Sequence, residues 1–236
     1  MDTLFITNLF SENPADRFYF FAVVLVVVIS IVLHELAHGW VALKLGDFTP
    51  MREGHMTGNP LVHMGPYALV ALAIAGISWG RMPVDPARLR GRYAETWVAA
   101  AGPLTNLALA AASLTGLSVL MRQWGLEGVP AIVPLLGLFE AAGIDGLSSL
   151  QQNALRLLAI GGAFNLVLCM FNLLPVSPLD GSHILANLNR RYRDFIGNPA
   201  HHGVHMLMFL SAFMIAGRLM FPWAWAAMQA YVGVWV

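Results

Sequence analysis

The chain has 236 residues, of which 58% are hydrophobic and only 11% charged. Soluble domains carry about 25% charged residues, so most of this surface is suited to lipid. Thirteen basic residues balance thirteen acidic ones, and no basic cluster with interleaved aromatics occurs, which argues against a nucleic-acid partner.

The first apolar run covers 18–45. It exceeds the roughly 20 residues needed to cross a bilayer, and also the 7–15 residues of a signal-peptide core. Only Arg17 supplies positive charge before it, so the run reads as a permanent span. Inside it lies His34-Glu35-Leu36-Ala37-His38. Ionisable side chains at that depth are costly and mark function by default. On a helix His34 and His38 share one face, where two imidazoles can grip one metal ion. Glu35 lies about 100° around the helix from His34, and so can reach a water on that metal rather than bind it as a third ligand. This is the division of labour of the H-E-x-x-H zinc motif.

The stretch 46–62 is rich in turn formers and predicts a short irregular or β-hairpin piece at the membrane surface. Segment 63–79 is short and contains Pro66, Gly65 and Gly76, which suits a thin span or a re-entrant element. Segment 94–121 is a second full span. Segment 129–147 begins apolar, but Pro130, Pro134, Glu140 and Asp145 predict an interfacial or loop element. Segment 153–175 is a third full span. Segments 203–221 and, if short, 222–236 complete the apolar inventory.

Two arginine clusters orient this arrangement. Arg81, Arg88, Arg90 and Arg92 precede 94–121, and Arg190, Arg191 and Arg193 follow 153–175. The positive-inside rule puts both in the cytoplasm and the loop 122–152 outside. If 18–45 and the end of 153–175 share one ion, 46–62 is cytoplasmic as well. Segment 63–79 must then turn back rather than cross.

A catalytic zinc keeps three protein ligands and one open position. The end of 153–175 reads Asn172-Leu173-Leu174-Pro175-Val176-Ser177-Pro178-Leu179-Asp180-Gly181. Pro175 and Pro178 break the helix there. Broken backbone at membrane depth is tolerated only beside protein or a water-filled cavity. Asp180 follows at once, with Gly181 permitting a tight turn. A carboxylate so placed suits a third ligand; a helix cap or solvated loop aspartate is the alternative.

H-E-x-x-H on a membrane helix, followed by N-x-x-P-x-x-P-L-D-G near the end of a later one, resembles the site-2 protease family of intramembrane zinc metalloproteases. Ala101-Gly102-Pro103-Leu104-Thr105-Asn106 resembles that family's A-G-P-x-x-N on the middle core helix. Gly58-Asn59-Pro60-Leu61-Val62-His63 and Trp79-Gly80-Arg81-Met82-Pro83-Val84 are similar to linkers of its compact bacterial branch. The likeness runs over about 20–190. It implies one Zn2+ per chain on His34, His38 and Asp180, with Glu35 as general base. It places Asn172 against the substrate peptide or the oxyanion. Asn106 falls on a polar position of the middle helix, where an interhelical hydrogen bond beside a small-residue face is the simpler role. The PDZ domain, CBS pair or additional helix of larger members is not seen.

Among the remaining polar residues, Cys169 reads as a small core hydrophobe. His183 is a candidate neighbour of Asp180. His201, His202 and His205 read as surface or substrate-access groups, with an accessory metal site as the alternative. His55 and His63 suggest no chemistry.

The expectation is a single integral-membrane metalloprotease domain over 1–236. Its fold class is all-α polytopic membrane protein, with five to six transmembrane or re-entrant helices around a three-helix catalytic core. The expected substrate is a membrane protein or peptide with a locally unwound helix. The expected location is a bacterial inner membrane, the site opening towards the cytoplasm. The alternative functions are a metal-ion transporter and an inactive membrane chaperone of the same fold.

Overall fold

The computed structural model describes residues 5–136, 142, 144 and 146–235, and among them there is no strand. The elements in order are α1 (Pro14–Lys44), α2 (Thr49–Arg52), α3 (Pro60–His63), α4 (Gly65–Ala75) and α5 (Ala94–Gln123). Then come α6 (Ile132–Leu136), α7 (Ser149–Asn172), α8 (Asp180–Leu188), α9 (Arg190–Gly197) and α10 (His202–Trp235). Local chemistry sets the ends of the long helices. Asn13 caps α1 by accepting the Ala15 N–H, with Pro14 in the first turn. Ser148 and Gln151 close a capping box on α7.

Helices α1, α5 and α7 are each long and apolar enough to cross a membrane. At ~1.5 Å per residue they exceed the ~30 Å hydrocarbon core. They form the core bundle, and small residues let them approach closely. A β-carbon on Gly161 would lie 2.8 Å from Ser113 Oγ, and one on Gly162 would lie 2.7 Å from Leu114 Cγ. Cys169 is buried on α7 as expected.

Helix α4 is too short to span. Its Ala68 and Leu72, with Met64 just before it, pack with Ala22, Val23, Val27 and Ile31 of α1. The Arg81 N–H then donates to the His63 carbonyl at 3.0 Å, so the chain leaves and re-joins one point. That is re-entrant geometry. The linker 46–62 is irregular, as expected, but carries the one-turn helices α2 and α3 instead of a hairpin. Pro50 and Pro60, each in the first turn of its helix, favour that outcome over strand pairing.

The C-terminal segments differ from the expectation. In place of a boundary at 222, α10 runs on as two arms, Pro199–Ala216 and Arg218–Trp235, meeting at 48°. Proline crowds the carbonyl four residues back, so Pro222 puts the break beside Arg218. With α4 and both arms of α10, the described apolar helices number six. Helix α10 is tied to α5 by Tyr231 and Thr115, whose hydroxyls lie 2.8 Å apart. The loop expected at 129–147 contains α6, but Glu140 and Asp145 lie outside the described residues.

Candidate metal centre

His34 and His38 lie on the last third of α1, His34 about 15 Å from its C-terminal end by helix rise. Both are 7% exposed. Asp180 is the first residue of α8, where Pro175 and Pro178 have ended α7 as their chemistry requires. Leu179, not Asp180, holds the cap position, which disposes of the capping alternative. Gly181 has a role other than the tight turn expected of it. Its backbone is ordinary, but a β-carbon there would run into the Leu173 and Leu174 carbonyls. The absence of a side chain lets α8 tuck under the end of α7 and so sets the depth of Asp180.

The three side chains converge. His34 Nε2 and His38 Nε2 are 3.0 Å apart. Asp180 Oδ2 is 3.1 Å from the first, and Oδ1 is 3.4 Å from the second. Ligand atoms around a tetrahedral zinc with bonds of ~2.0 Å lie about 3.3 Å apart. Among the described residues this is the one group of three His, Cys, Asp or Glu side chains close enough to hold a metal ion.

The hydrogen bonds behind the triad explain why a cation belongs there. His34 Nδ1 is 2.6 Å from Asn106 Oδ1, and His38 Nδ1 is 2.7 Å from the Val98 carbonyl. Both partners are acceptors, so each imidazole carries its proton on Nδ1 and turns a bare lone pair inward at Nε2. Two lone pairs and a carboxylate cannot satisfy one another. Ligands of a zinc ion are usually braced by such a bond on their other ring nitrogen.

The brace extends through all three core helices. Asn106 Nδ2 donates to Asn165 Oδ1 at 2.9 Å, and Asn165 Nδ2 donates to the Gly161 carbonyl at 2.9 Å. Asn106 thus makes the interhelical hydrogen bonds expected of it, and one of them orients the His34 imidazole. The sequence reading did not single out Asn165, and it quoted Gly102 within a motif without giving it a role. An asparagine in the middle of an apolar span was the signal for the first. Gly102 faces the triad with no room for a β-carbon.

A cavity of about 860 Å³ opens beside the triad. Glu35 and Asn172 line it, as do Phe171, Phe209, Phe213 and most of the strap 77–84. Glu35 is 7% exposed. Gly80 lies directly on it, since a β-carbon there would stand 2.5 Å from Glu35 Oε1. Asn172 donates to the Leu168 carbonyl at 3.0 Å, which leaves its Oδ1 unengaged by that bond. His183 lines the cavity on the exposed side of α8.

The other histidines do not join the triad. His201 Nδ1 donates to the Phe195 carbonyl at 3.0 Å, and its ring lies against Phe195. His205, expected at the surface, is 8% exposed, because it packs on that same phenyl ring. His55 and His63, also buried, sit under the strap.

The profile of Peptidase family M50 matches residues 21–215. Two relatives carry the name "Putative zinc metalloprotease". YwhC of Bacillus subtilis (strain 168) is 35% identical over 181 residues, 73% of this chain and 74% of its own. Rip2 of Mycobacterium tuberculosis (strain H37Rv) is 28% identical over 144 residues, 53% of this chain and 54% of its own. No solved structure matches.

Proposed function

Since this chain belongs to Peptidase family M50 and is a zinc metalloprotease, we propose that it hydrolyses peptide bonds within or beside the transmembrane helices of membrane-protein substrates. One observation carries this reading. Three electron-rich ligand atoms converge on a membrane-length helix, and a buried carboxylate stands next to them in a cavity.

His34, His38 and Asp180 would hold the zinc. When bound, it supplies a Lewis acid that polarises a carbonyl and brings water into the range of nucleophiles at neutral pH. Glu35 accepts the proton of the attacking water and returns it to the leaving amine. Asn106 and Val98 keep the two imidazoles aimed. Asn172, which also lines the cavity, would donate to or accept from the substrate backbone. A helical substrate hides its amides in its own hydrogen bonds, so the cut falls where glycine or proline has loosened the helix.

The cytoplasmic orientation rests on charge. The Arg90 N–H donates to the Leu45 carbonyl at 2.8 Å, which ties the first arginine loop to the metal-site end of α1. The second cluster, Arg190, Arg191 and Arg193, lies on α9 just beyond α8. Seven arginines on that side favour the cytoplasm of a bacterial inner membrane.

The test compares cells and purified protein carrying wild-type or Glu35→Gln enzyme. The variant is expected to retain one zinc per chain while cleavage of single-pass membrane proteins falls about 10²–10⁴-fold. Wild-type cleavage by the purified variant would overturn the assignment. Zinc flux into liposomes that survives the substitution would favour a transporter.

A further inference from the structure

Asp180 begins a short helix whose far end is tied down well away from the triad. Asn187 lies two turns, about 10 Å, further along α8. The last carbonyls of a helix find no partner within it. Here Arg193 of α9 supplies one. Its Nε donates to the Ala186 carbonyl at 3.0 Å, and its Nη2 donates to the Asn187 carbonyl at 3.3 Å and to Asn187 Oδ1 at 3.4 Å. A guanidinium there also complements the negative end of the helix dipole. Asn187 in turn donates from Nδ2 to Thr96 Oγ1 on α5 at 3.0 Å. Thr96 stands two residues before Val98, whose carbonyl braces His38. The end of α8 is thus bonded to the stretch of α5 that orients one histidine of the triad.

The loop before α8 is held by the same short helix. In a continuous helix the Leu179 N–H would bond the Pro175 carbonyl four residues back, but in the break it bonds the Val176 carbonyl instead, at 2.8 Å. The Tyr192 hydroxyl donates to the freed Pro175 carbonyl at 2.9 Å. Helix α9 is itself fixed at both ends. Asn189 caps its start by accepting the Tyr192 N–H at 3.2 Å, and His201 holds the Phe195 carbonyl near its end. Two consecutive residues of α9 therefore grip the segment 175–187 at either end, with Asp180 between the two grips. None of Thr96, Asn187, Tyr192 and Arg193 lines the cavity.

We propose that Tyr192 and Arg193 are positioning residues of the metal centre: they clamp the loop before α8 and the end of α8, and so set where the Asp180 carboxylate stands relative to His34 and His38. The proposal rests on the zinc reading above for the ion and on the hydrogen bonds alone for the clamp. Carboxylate and imidazoles face one another across 3.1 and 3.4 Å. Metal–ligand distances tolerate only about 0.2 Å, so a few tenths of an ångström of slack in α8 is enough to weaken the third ligand. The two histidines lie on α1 and are braced from α5, so loosening α9 leaves them in place.

The experiment uses the full chain in detergent and three readouts. Competition with a chromogenic chelator gives zinc affinity, the visible spectrum of the cobalt-loaded protein gives ligand geometry, and hydrogen exchange at the amides of 181–183 gives the order of α8. Arg193→Ala is expected to weaken zinc about tenfold. Arg193→Lys, which keeps a charged donor for the two carbonyls, should recover at least about half of that loss on a logarithmic scale. Tyr192→Phe removes only the hydroxyl and should weaken zinc about threefold. Both weakened variants should shift the cobalt bands, and exchange at 181–183 should accelerate about tenfold in Arg193→Ala. Zinc affinity and cobalt spectrum equal to wild type in Arg193→Ala and Tyr192→Phe overturn the proposal, even where thermal stability drops. So does a lysine variant no better than alanine. If Arg193→Ala does not fold, Tyr192→Phe decides by the same two readouts. If the wild-type protein takes up neither metal, the zinc reading fails, and the exchange comparison still decides the clamp.

Discussion

Gly102 on α5 stands so close to His34 on α1 that a β-carbon would overlap the imidazole at Cε1 and Nε2, and would overlap His38 Nε2 as well. Neither ring can retreat, because each is held at Nδ1 from behind. Gly102→Ala should therefore push the ligands apart. We expect metal affinity to fall at least about tenfold, the range seen when the surroundings of a ligand are disturbed. Zinc content after dialysis against a graded chelator series reads this directly, and a variant that keeps zinc like wild type contradicts it.

Asn106 makes a different demand, on orientation rather than space. Asn106→Leu keeps the branching of the side chain but strands the His34 Nδ1–H and the Asn165 Oδ1, both buried. The expected loss in zinc affinity is about 10–100-fold. A drop in stability of about 1–3 kcal/mol should accompany it. Competition titration with a chromogenic chelator and thermal unfolding in detergent measure the two effects.

The contact between α5 and α7 depends on Gly162. Its missing β-carbon leaves room for Leu114, which is 2% exposed and has nowhere to swing. Gly162→Val should overpack this contact and destabilise the bundle by about 1–3 kcal/mol. A midpoint of thermal unfolding equal to that of the wild type would show that the helices separate more easily than this packing implies.

Asp47 anchors the loop just past α1. Burial, at 0% exposure, works against its ionisation. Hydrogen bonds from the Thr49 hydroxyl (2.5 Å), the Asp85 N–H (2.7 Å) and the Thr49 N–H (2.9 Å) outweigh that and hold its carboxyl below the usual range. A lowered folded-state value means that the unfolded chain binds the proton more readily. The stabilisation from Asp47 is thus complete above its unfolded pKa of about 4 and is lost as pH falls through the folded value. Asp47→Asn should lower the unfolding midpoint at pH 7, because an amide N–H2 would face the Asp85 N–H or the Thr49 donors. The gap to wild type should narrow below about pH 4. A gap that stays constant down to the acid limit would rule out this role for the charge.

Much of this protein was legible in one dimension. Membrane helices announce themselves by long apolar runs, because lipid tolerates no unsatisfied backbone. The same cost makes His34, Glu35 and His38 conspicuous within such a run, and the helical period alone puts the histidines on one face. The proline pair before Asp180 marked the end of α7 for the same local reason. What sequence could not supply was every relationship in which two distant segments meet. Asn165 reaches His34 only through Asn106 on a third helix, and Val98 acts through a backbone carbonyl, which no side-chain pattern records. Gly102, Gly80 and Gly181 matter for the atoms that stand opposite them, and a glycine in a string of letters says nothing about its neighbour. The bend of α10 fell upstream of Pro222 because the ring crowds the preceding turn. The burial of His55, His63 and His205, each polar and each in a loop or at a helix end, follows from the packing of the strap and of Phe195. Covalent spacing determines what one helix face can offer, whereas close packing between helices decides which atoms are brought to it.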